Sequence, residues 1–356
     1  MTLTIELGPA PEVAFGPSPL GELVSALHLL SAAAHHPAQH AWITSVTAAL
    51  PADLADRIQS ADVLWQVGRA DFLVPSRVRA TLAEDLDDLD GIDDEAFLHA
   101  AFIPACGADR RRRPAASDAN NRTLTMDRAR ELANARGPRQ AEFVDRLIAD
   151  LPGVRAWLRR LFTDCDQAFF ADAWRRVRVG LVTEARNAAE LHRTKGLAAA
   201  VRSMSPALAV ADGRLLIDKL RESTASATAR GITFSPTAFG WPHVVVADEP
   251  GRRPVVQYPV EHAGATTPLD VLTRRLEALS NPARLRLCWQ LARGAQTTGE
   301  LAAAWQLSLP EVSRHLAVLH RAGLLSKNKR GRYTLHRMDL VAVSRLGTDL
   351  VDAMLR

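Results

Sequence analysis

The side chains best placed to do chemistry in this chain lie in one short segment, Ser308 to Gly323, where Ser313, Arg314, His315 and Arg321 offer donors and positive charge. Groups of that kind reach base edges and phosphate oxygens of duplex DNA. They need a rigid helix to present them. Ser308 with Glu311 three positions on forms a capping box, Pro310 falls in the first turn, and Gly323 suits a left-handed cap. Val312, Leu316 and Leu319 recur at helical spacing and face inward, which leaves Glu311, Ser313, Arg314, His315, Ala317 and Arg321 at the outer surface. The segment reads as a DNA recognition helix, with Arg314 and Ser313 as the leading contacts. His315 is either a contact or a packing residue against the preceding helix.

The flanking pattern supplies what such a helix requires. Pro268 to Leu279 and Asn281 to Arg293 read as helices, and Thr297 with Glu300 caps a short helix to Trp305 that precedes the turn into Ser308. After Gly323 the pattern becomes a hairpin: Leu324 to Lys327, a turn around Asn328 to Gly331, then Arg332 to Leu335. Its Lys327, Lys329, Arg330 and Arg332 are phosphate clamps or a solvated hairpin tip. Asp339 opens a last helix with a stripe that includes Leu346, Leu350 and Met354. Together with Leu269, Leu272 and Leu276 these are the expected homodimer residues.

Charge follows the same division. Residues 266 to 356 carry 14 Lys+Arg against 7 Asp+Glu, whereas residues 1 to 265 carry 30 against 33. The basic excess sits where a phosphate-binding module belongs. Pro/Gly-rich sequence from Asp248 to Pro268 places a boundary near 265, giving a domain 1–265 with a regulatory role and a winged helix-turn-helix 266–356. The first domain reads mostly as helix, at Pro19 to Ala34, Ala38 to Leu50, Arg77 to Leu86, Asp127 to Arg136, Gln140 to Ala149, Val154 to Phe162, Cys165 to Val179 and Leu181 to Met204. Strand patterns lie at its edges, at Thr2 to Leu7, Arg214 to Lys219, Ile232 to Phe234, His243 to Ala247 and Val255 to Gln257, with the first expected to join the late ones. The expected fold class is α+β, predominantly helical: a large helical N-terminal domain with a small β-sheet, plus the winged helix.

Other signals exclude more than they assert. No apolar run approaches a membrane span, and the first residues carry no export pattern, so a cytoplasmic protein is expected. Cys106, Cys165 and Cys288 are too scattered for a disulfide framework or thiolate metal site. There is no Gly-x-Ser-x-Gly, Gly-rich phosphate loop, His-Glu-x-x-His or Cys-x-x-Cys, so neither an enzyme nor a cofactor is expected. The carboxylates from Asp85 to Glu95 read as solvated loop, and Arg110 to Arg113 as a solvated charge run. His35, His36 and His40 lack a visible third metal partner. Trp42, Trp65, Trp157, Phe169, Phe170 and Trp174 are core rings or the lining of a pocket for a small organic effector.

The ordered segments Leu279-Ser-Asn-Pro-Ala-Arg-Leu-Arg-Leu287, Thr298-Gly-Glu-Leu-Ala302, Leu307 to Leu319, Ala322-Gly-Leu-Leu325 and Gly331-Arg-Tyr333 resemble the winged helix of ArsR-type bacterial transcriptional regulators. Phe15 to Leu20, Thr237 to Pro242 and Pro254 to Pro259 more loosely resemble a large N-terminal domain of unknown function found on some actinobacterial members. The resemblance implies a dimeric DNA-binding regulator, usually a repressor released by a signal, acting on a palindromic operator. The Cys-x-Cys and His/Asp ligands of metal-sensing members do not carry over, because Glu300 to Trp305 holds no cysteine and Asp339 to Leu355 no histidine. His336 with Asp339 reads as surface. The expected signal is therefore non-metal, sensed by the N-terminal domain. The alternative readings of that domain are a protein-interaction module and, more remotely, an enzyme.

Overall fold

The computed structural model describes residues 2–36, 39–107, 125–218, 223–249, 251–260, 269–330, 333–344 and 346–355. The chain divides into two compact units, residues 1–262 and 263–355. Arg110 to Arg113, Arg332, Pro268 and position 265 lie outside the described residues.

The helices of the first unit are α1 (Pro19–Ser31), α2 (His40–Ala49), α3 (Ala52–Ala61), α4 (Leu82–Asp90), α5 (Asp94–Cys106), α6 (Met126–Arg136), α7 (Pro138–Ala149), α8 (Leu151–Cys165), α9 (Ala171–Lys195) and α10 (Leu197–Met204). α1 is the most completely buried of these helices. Ser18 caps it, accepting from the Gly21 N–H, and Pro19 occupies the first turn. Leu20, Leu23, Val24, Leu27 and Leu29 are fully buried, and so are Glu22 and Ser25, so the helix is enclosed on its polar side as well. With α3, α5, α7 and α8 it contributes to a core that contains Trp65, Phe72, Phe97, Phe162 and Phe170.

Several helices differ from the sequence reading: α3 and α5 have no counterpart in it, and α4 begins at Leu82, not at Arg77. α9 runs without interruption through Gly180, because one glycine inside a helix costs only about 1 kcal/mol and packing overrides it. The break falls instead at Gly196, whose φ of +83° is left-handed backbone that glycine adopts freely. The Asp85 to Glu95 stretch is likewise not a loop. Thr81 and Glu84 form a capping box that starts α4, and Asp93 caps α5 by accepting from the Glu95 and Ala96 N–H groups.

The strands of this unit are β1 (Thr2–Glu6), β2 (Val13–Phe15), β3 (Leu208–Ala211), β4 (Arg214–Asp218), β5 (Ser223–Ser226), β6 (Ile232–Thr237), β7 (Val245–Ala247) and β8 (Val255–Pro259). They form two four-stranded sheets, in orders β3-β4-β1-β5 and β2-β6-β8-β7, rather than the one small sheet expected. β1 does join late strands, antiparallel to β4 and parallel to β5. Its alternation decides the register: Leu3 faces Ile217 and Ile5 faces Leu215, so all four apolar side chains enter one core. β6 and β8 run parallel and are buried along their whole length, so β6 buries Thr233, Ser235 and Thr237 on one face as well as Ile232 and Phe234 on the other.

The second unit contains α11 (Leu269–Leu279), α12 (Pro282–Arg293), β9 (Gln296–Thr297), α13 (Thr298–Trp305), α14 (Leu309–Arg321), β10 (Leu325–Arg330), β11 (Tyr333–Met338), α15 (Leu340–Ser344) and α16 (Leu346–Leu355). Its three-stranded sheet has the order β10-β11-β9. The hairpin strands are longer than the sequence reading, pairing Leu325 with Met338 through Arg330 with Tyr333. Lys327 and Lys329 therefore lie along β10, ahead of the turn.

Candidate nucleic-acid interface

α13, a short turn and α14 form the helix-turn-helix. Thr297 and Glu300 cap each other at the start of α13, and Gln306 closes it with a left-handed φ of 54°. At α14 the Ser308 hydroxyl lies 2.7 Å from a Glu311 carboxylate oxygen and accepts from the Glu311 N–H at 3.4 Å, while the Ser308 N–H donates to the same carboxylate at 3.0 Å. These bonds hold the Glu311 carboxyl below its ordinary range, the Ser308 hydroxyl contributing most.

The apolar stripe does what the periodicity requires: Val312, Leu316 and Leu319 are buried with Leu287, Leu291 and Leu301 in the core of this unit. Pro310, Ser313, Arg314, Ala317 and Arg321 are exposed, while Glu311 and His315 are half-buried. Gly323 takes a φ of +67° and turns the chain into the wing, on which Lys327 and Lys329 are exposed. One helix face and one hairpin strand thus present donors and cations to the same class of ligand.

His336 is not a surface remnant of a metal site. It is buried, and its Nδ1 lies 2.9 Å from Nε2 of His320. Asp339 faces elsewhere, capping the next helix by accepting from the Ala342 N–H at 3.0 Å. The dimer residues divide. Leu272 is fully buried within its own unit, so its side chain serves the fold rather than a partner. Leu269, Leu276 and Met354 are exposed, and Leu346 and Leu350 are half-buried. Arg275 on α11 reaches Asp349 on α16 at 3.4 Å, holding these helices together.

In the first unit, three of the six expected pocket rings lie in the hydrophobic core and three are half-buried at its edge. Trp65, Trp157 and Phe170 are buried, and Trp42, Phe169 and Trp174 pack against them. Trp42 leans on Phe239 at 4.8 Å between centroids, and the Trp65 indole N–H donates to Ser31 Oγ at 3.1 Å. A cleft of about 600 Å³ lies elsewhere in this unit, lined by Ala14, Ser76, Val78 and the arginines 77, 79, 230, 252 and 253.

Residues that the sequence reading passed over form a buried polar line on α1. Ser18, Glu22, Ser25 and His28 recur at spacings of four, three and three, one face of a helix. Asp85 accepts from the Ser18 hydroxyl at 2.9 Å and the Leu20 N–H at 3.0 Å, so a carboxylate read as solvent-facing is buried beneath the α1 cap. Glu22 accepts from the Thr237 hydroxyl and from the Ala238 and Phe239 N–H groups at 2.8 and 3.0 Å. Burial outweighs those donors and pushes its carboxyl up to about 7. Arg69 donates to Gln257 and Ser25.

His28 ends this line, and among the described residues it forms with His36 and His243 a group of three metal-capable side chains. Burial, with the Arg69 charge and the neighbouring rings, pushes the His28 imidazole down to about 3. His36 thus has the partners that sequence spacing left out, whereas His40 is exposed.

Residues 1–264 match the model of a family of unknown function, DUF5937. The chain belongs to that family. Within this DUF5937 member, residues 279–327 match a helix-turn-helix domain. The C-terminal segment is similar to curated repressors: 35% identical over 63 residues to the biofilm growth-associated repressor of Agrobacterium fabrum, covering 18% of this chain and 54% of that protein. It is 34% identical over 70 residues to the repressor SmtB of Mycobacterium tuberculosis, covering 20% and 52% respectively. The chain spans about half the length of these two relatives. The regulator Rv2034 of Mycobacterium tuberculosis is 35% identical over 77 residues, with 22% of this chain and 72% of that one covered. The winged helix of this DUF5937 member is therefore of the ArsR/SmtB kind.

Among solved structures, a homodimeric winged helix-turn-helix domain from Mycobacterium bovis is 27% identical, covering 27% of this chain and 88% of that one, with a TM-score of 0.22. Reduced HlyU from Vibrio cholerae is 25% identical, covering 22% and 84%, with a TM-score of 0.21. Among the described residues no helix is long and apolar enough to cross a membrane.

Proposed function

We propose that this protein is a DNA-binding transcriptional repressor whose winged helix acts as a homodimer on a palindromic duplex operator, under the control of its N-terminal unit. The observation that carries the reading is the capped α14, which exposes Ser313, Arg314 and Arg321 beside the Lys327 and Lys329 strand of the wing. In this reading Ser313 and Arg314 meet base edges, and Arg321, Lys327, Lys329, Arg330 and Arg332 meet phosphates. Exposed Leu269, Leu276 and Met354, on α11 and α16, support pairing with a second copy.

The test is operator selection from random duplex DNA followed by binding measured at several salt concentrations. Replacing Arg314 and Lys329 together with Ala abolishes specific binding if the reading holds. Unchanged affinity rejects it. The sensing role of the first unit is supported by its arginine-lined cleft, in which Arg77 and Arg79 pair with Asp88 and Arg253 with Glu12, leaving an excess of positive charge suited to a small organic anion. Thermal shifts of the full chain against a panel of organic anions test this. If no member of the panel stabilises the protein and a defined protein partner binds this unit instead, the domain is an interaction module.

A further inference from the structure

Three imidazoles converge in the N-terminal unit, and DNA binding uses none of them. His28 sits in the last turn of α1, His36 follows that helix, and His243 lies between β6 and β7. One ring nitrogen from each lies within 4.8 Å of the other two. The rings are close to perpendicular, at 84°, 79° and 89°, with centroids 5.2, 5.8 and 5.3 Å apart. The rings thus meet edge to face and do not stack.

Two of the rings are also oriented from behind. His28 Nδ1 lies 2.9 Å from the Trp65 carbonyl oxygen, and His36 Nδ1 lies 3.0 Å from that of Trp241. A carbonyl only accepts, so each Nδ1 carries the proton and each Nε2 holds a lone pair. A ring that gives its second N–H to a backbone carbonyl is the usual outer-shell arrangement of a metal-binding histidine. We propose that His28, His36 and His243 bind one divalent transition ion of the zinc class through their imidazole nitrogens.

Ligand chemistry narrows the ion. Three nitrogen donors suit zinc, cobalt or nickel, whereas magnesium and calcium require oxygen. Zinc–nitrogen bonds of roughly 2.0–2.1 Å place the nitrogens about 3.4 Å apart, so the rings need to close by roughly an ångström. Arg69 is the unfavourable neighbour, because its charge acts on His28, and Glu22 offsets it by acting on Arg69 in turn. His28 and His243 are only half-buried, which leaves the cluster within reach of ions from solvent. The ion would tie positions 28, 36 and 243 together, joining the end of α1 to the segment between the strands.

The inference is independent of the DNA-binding reading, since metal uptake is measured on the protein alone. Full-length, tag-free protein is stripped with a chelator and titrated with cobalt(II), then with zinc(II) against a chromogenic competitor. One equivalent of cobalt per chain is expected to give intense visible absorption of low-symmetry coordination, which zinc then displaces. His36→Ala and His243→Ala each weaken zinc binding by at least about 100-fold. His40→Ala, on the neighbouring exposed surface, and His320→Ala, in the other histidine pair, leave it unchanged. Circular dichroism and metal-free melting curves of each variant, matching the parent, separate loss of ligand from loss of fold. Variants that melt early are replaced by His36→Gln and His243→Gln. No uptake by the parent protein, uptake that survives both substitutions in a folded chain, or loss in His320→Ala alone overturns the assignment.

Discussion

His320 Nε2 and His336 Nδ1 stand 2.9 Å apart, a bond between two neutral rings that joins the end of α14 to the wing strand β11. Burial is the main cause holding both imidazoles below their ordinary range, with Lys327 acting on both in the same direction. The unfolded chain thus takes up protons before the folded one does. The stability this pair contributes is complete above the ordinary imidazole value of about 6.5 and is lost as pH falls below it. We expect the melting temperature of the full chain to drop between pH 7 and 5, and His336→Asn to flatten that slope. An equal slope in the variant contradicts this account.

Glu22 works in the opposite sense. Its folded value of about 7 lies above the ordinary 4.5, so the folded state holds a proton that the unfolded chain releases. The protonated form favours folding fully below about 4.5, and the benefit disappears as pH rises through 7, a swing of no more than about 3 kcal/mol. Glu22→Gln keeps acceptors for Ala238 and Phe239 and removes the titration. The difference between its denaturant midpoint and that of the parent should therefore grow in favour of the variant as pH rises from 5 to 8, and a constant difference contradicts this account.

Two aspartates on α4 test burial against exposure. Asp85→Ala strips the acceptor from Ser18 and the Leu20 N–H inside the fold, and should cost about 2–3 kcal/mol. Asp87→Ala removes only an exposed ion pair with Arg159 and should change stability by less than about 1 kcal/mol. Urea unfolding of the two variants distinguishes them; equal losses count against a buried anchor.

On α14, capping and contact are separable. Ser308→Ala loses the box with Glu311 and should destabilise by about 1 kcal/mol. Arg314→Ala should leave the melting curve unchanged while reducing specific DNA affinity by about 1–3 kcal/mol. Lys329→Ala should weaken binding to all sequences alike and lower the salt dependence by about one phosphate contact.

Leucines on α11 split by four residues. Leu272→Ala opens a cavity in a fully buried position and should cost about 2–5 kcal/mol. Leu276→Glu, at an exposed position, should preserve the fold and shift sedimentation toward the monomer, more so with Met354→Glu. A dimer indifferent to both substitutions places the interface elsewhere.

The winged helix was largely legible in the residues, because its signals are local. Both capping boxes, the stripe of Val312, Leu316 and Leu319, the glycine stop at 323 and the concentration of basic charge depend on residues a few positions apart. The edges failed where strength of pairing decides, as in the wing, where β10 runs three residues past Lys327 into the expected turn and β11 three past Leu335. The first unit was less legible for a related reason. Gly180 is exposed yet stays helical because Leu181, Ala185 and Ala188 of the same helix are buried, and the Asp85 to Glu95 stretch folds on the buried Asp85, Leu86 and Leu89, a packing term no window of sequence contains.

The centres of that unit depend on distance along the chain. Polar residues at 18, 22, 25 and 28 within an apolar helix were a visible sign of buried chemistry, yet their partners lie at Asp85, Arg69, Thr237 and His243. Sequence alone determined a capped, basic, helix-turn-helix module, since local periodicity and charge suffice for it. Only the tertiary structure decided that three of the six aromatic rings make core and three its edge, that Leu272 turns inward, and that His36 meets His28 and His243. Packing brings together residues more than 200 positions apart, and spacing carries no record of that.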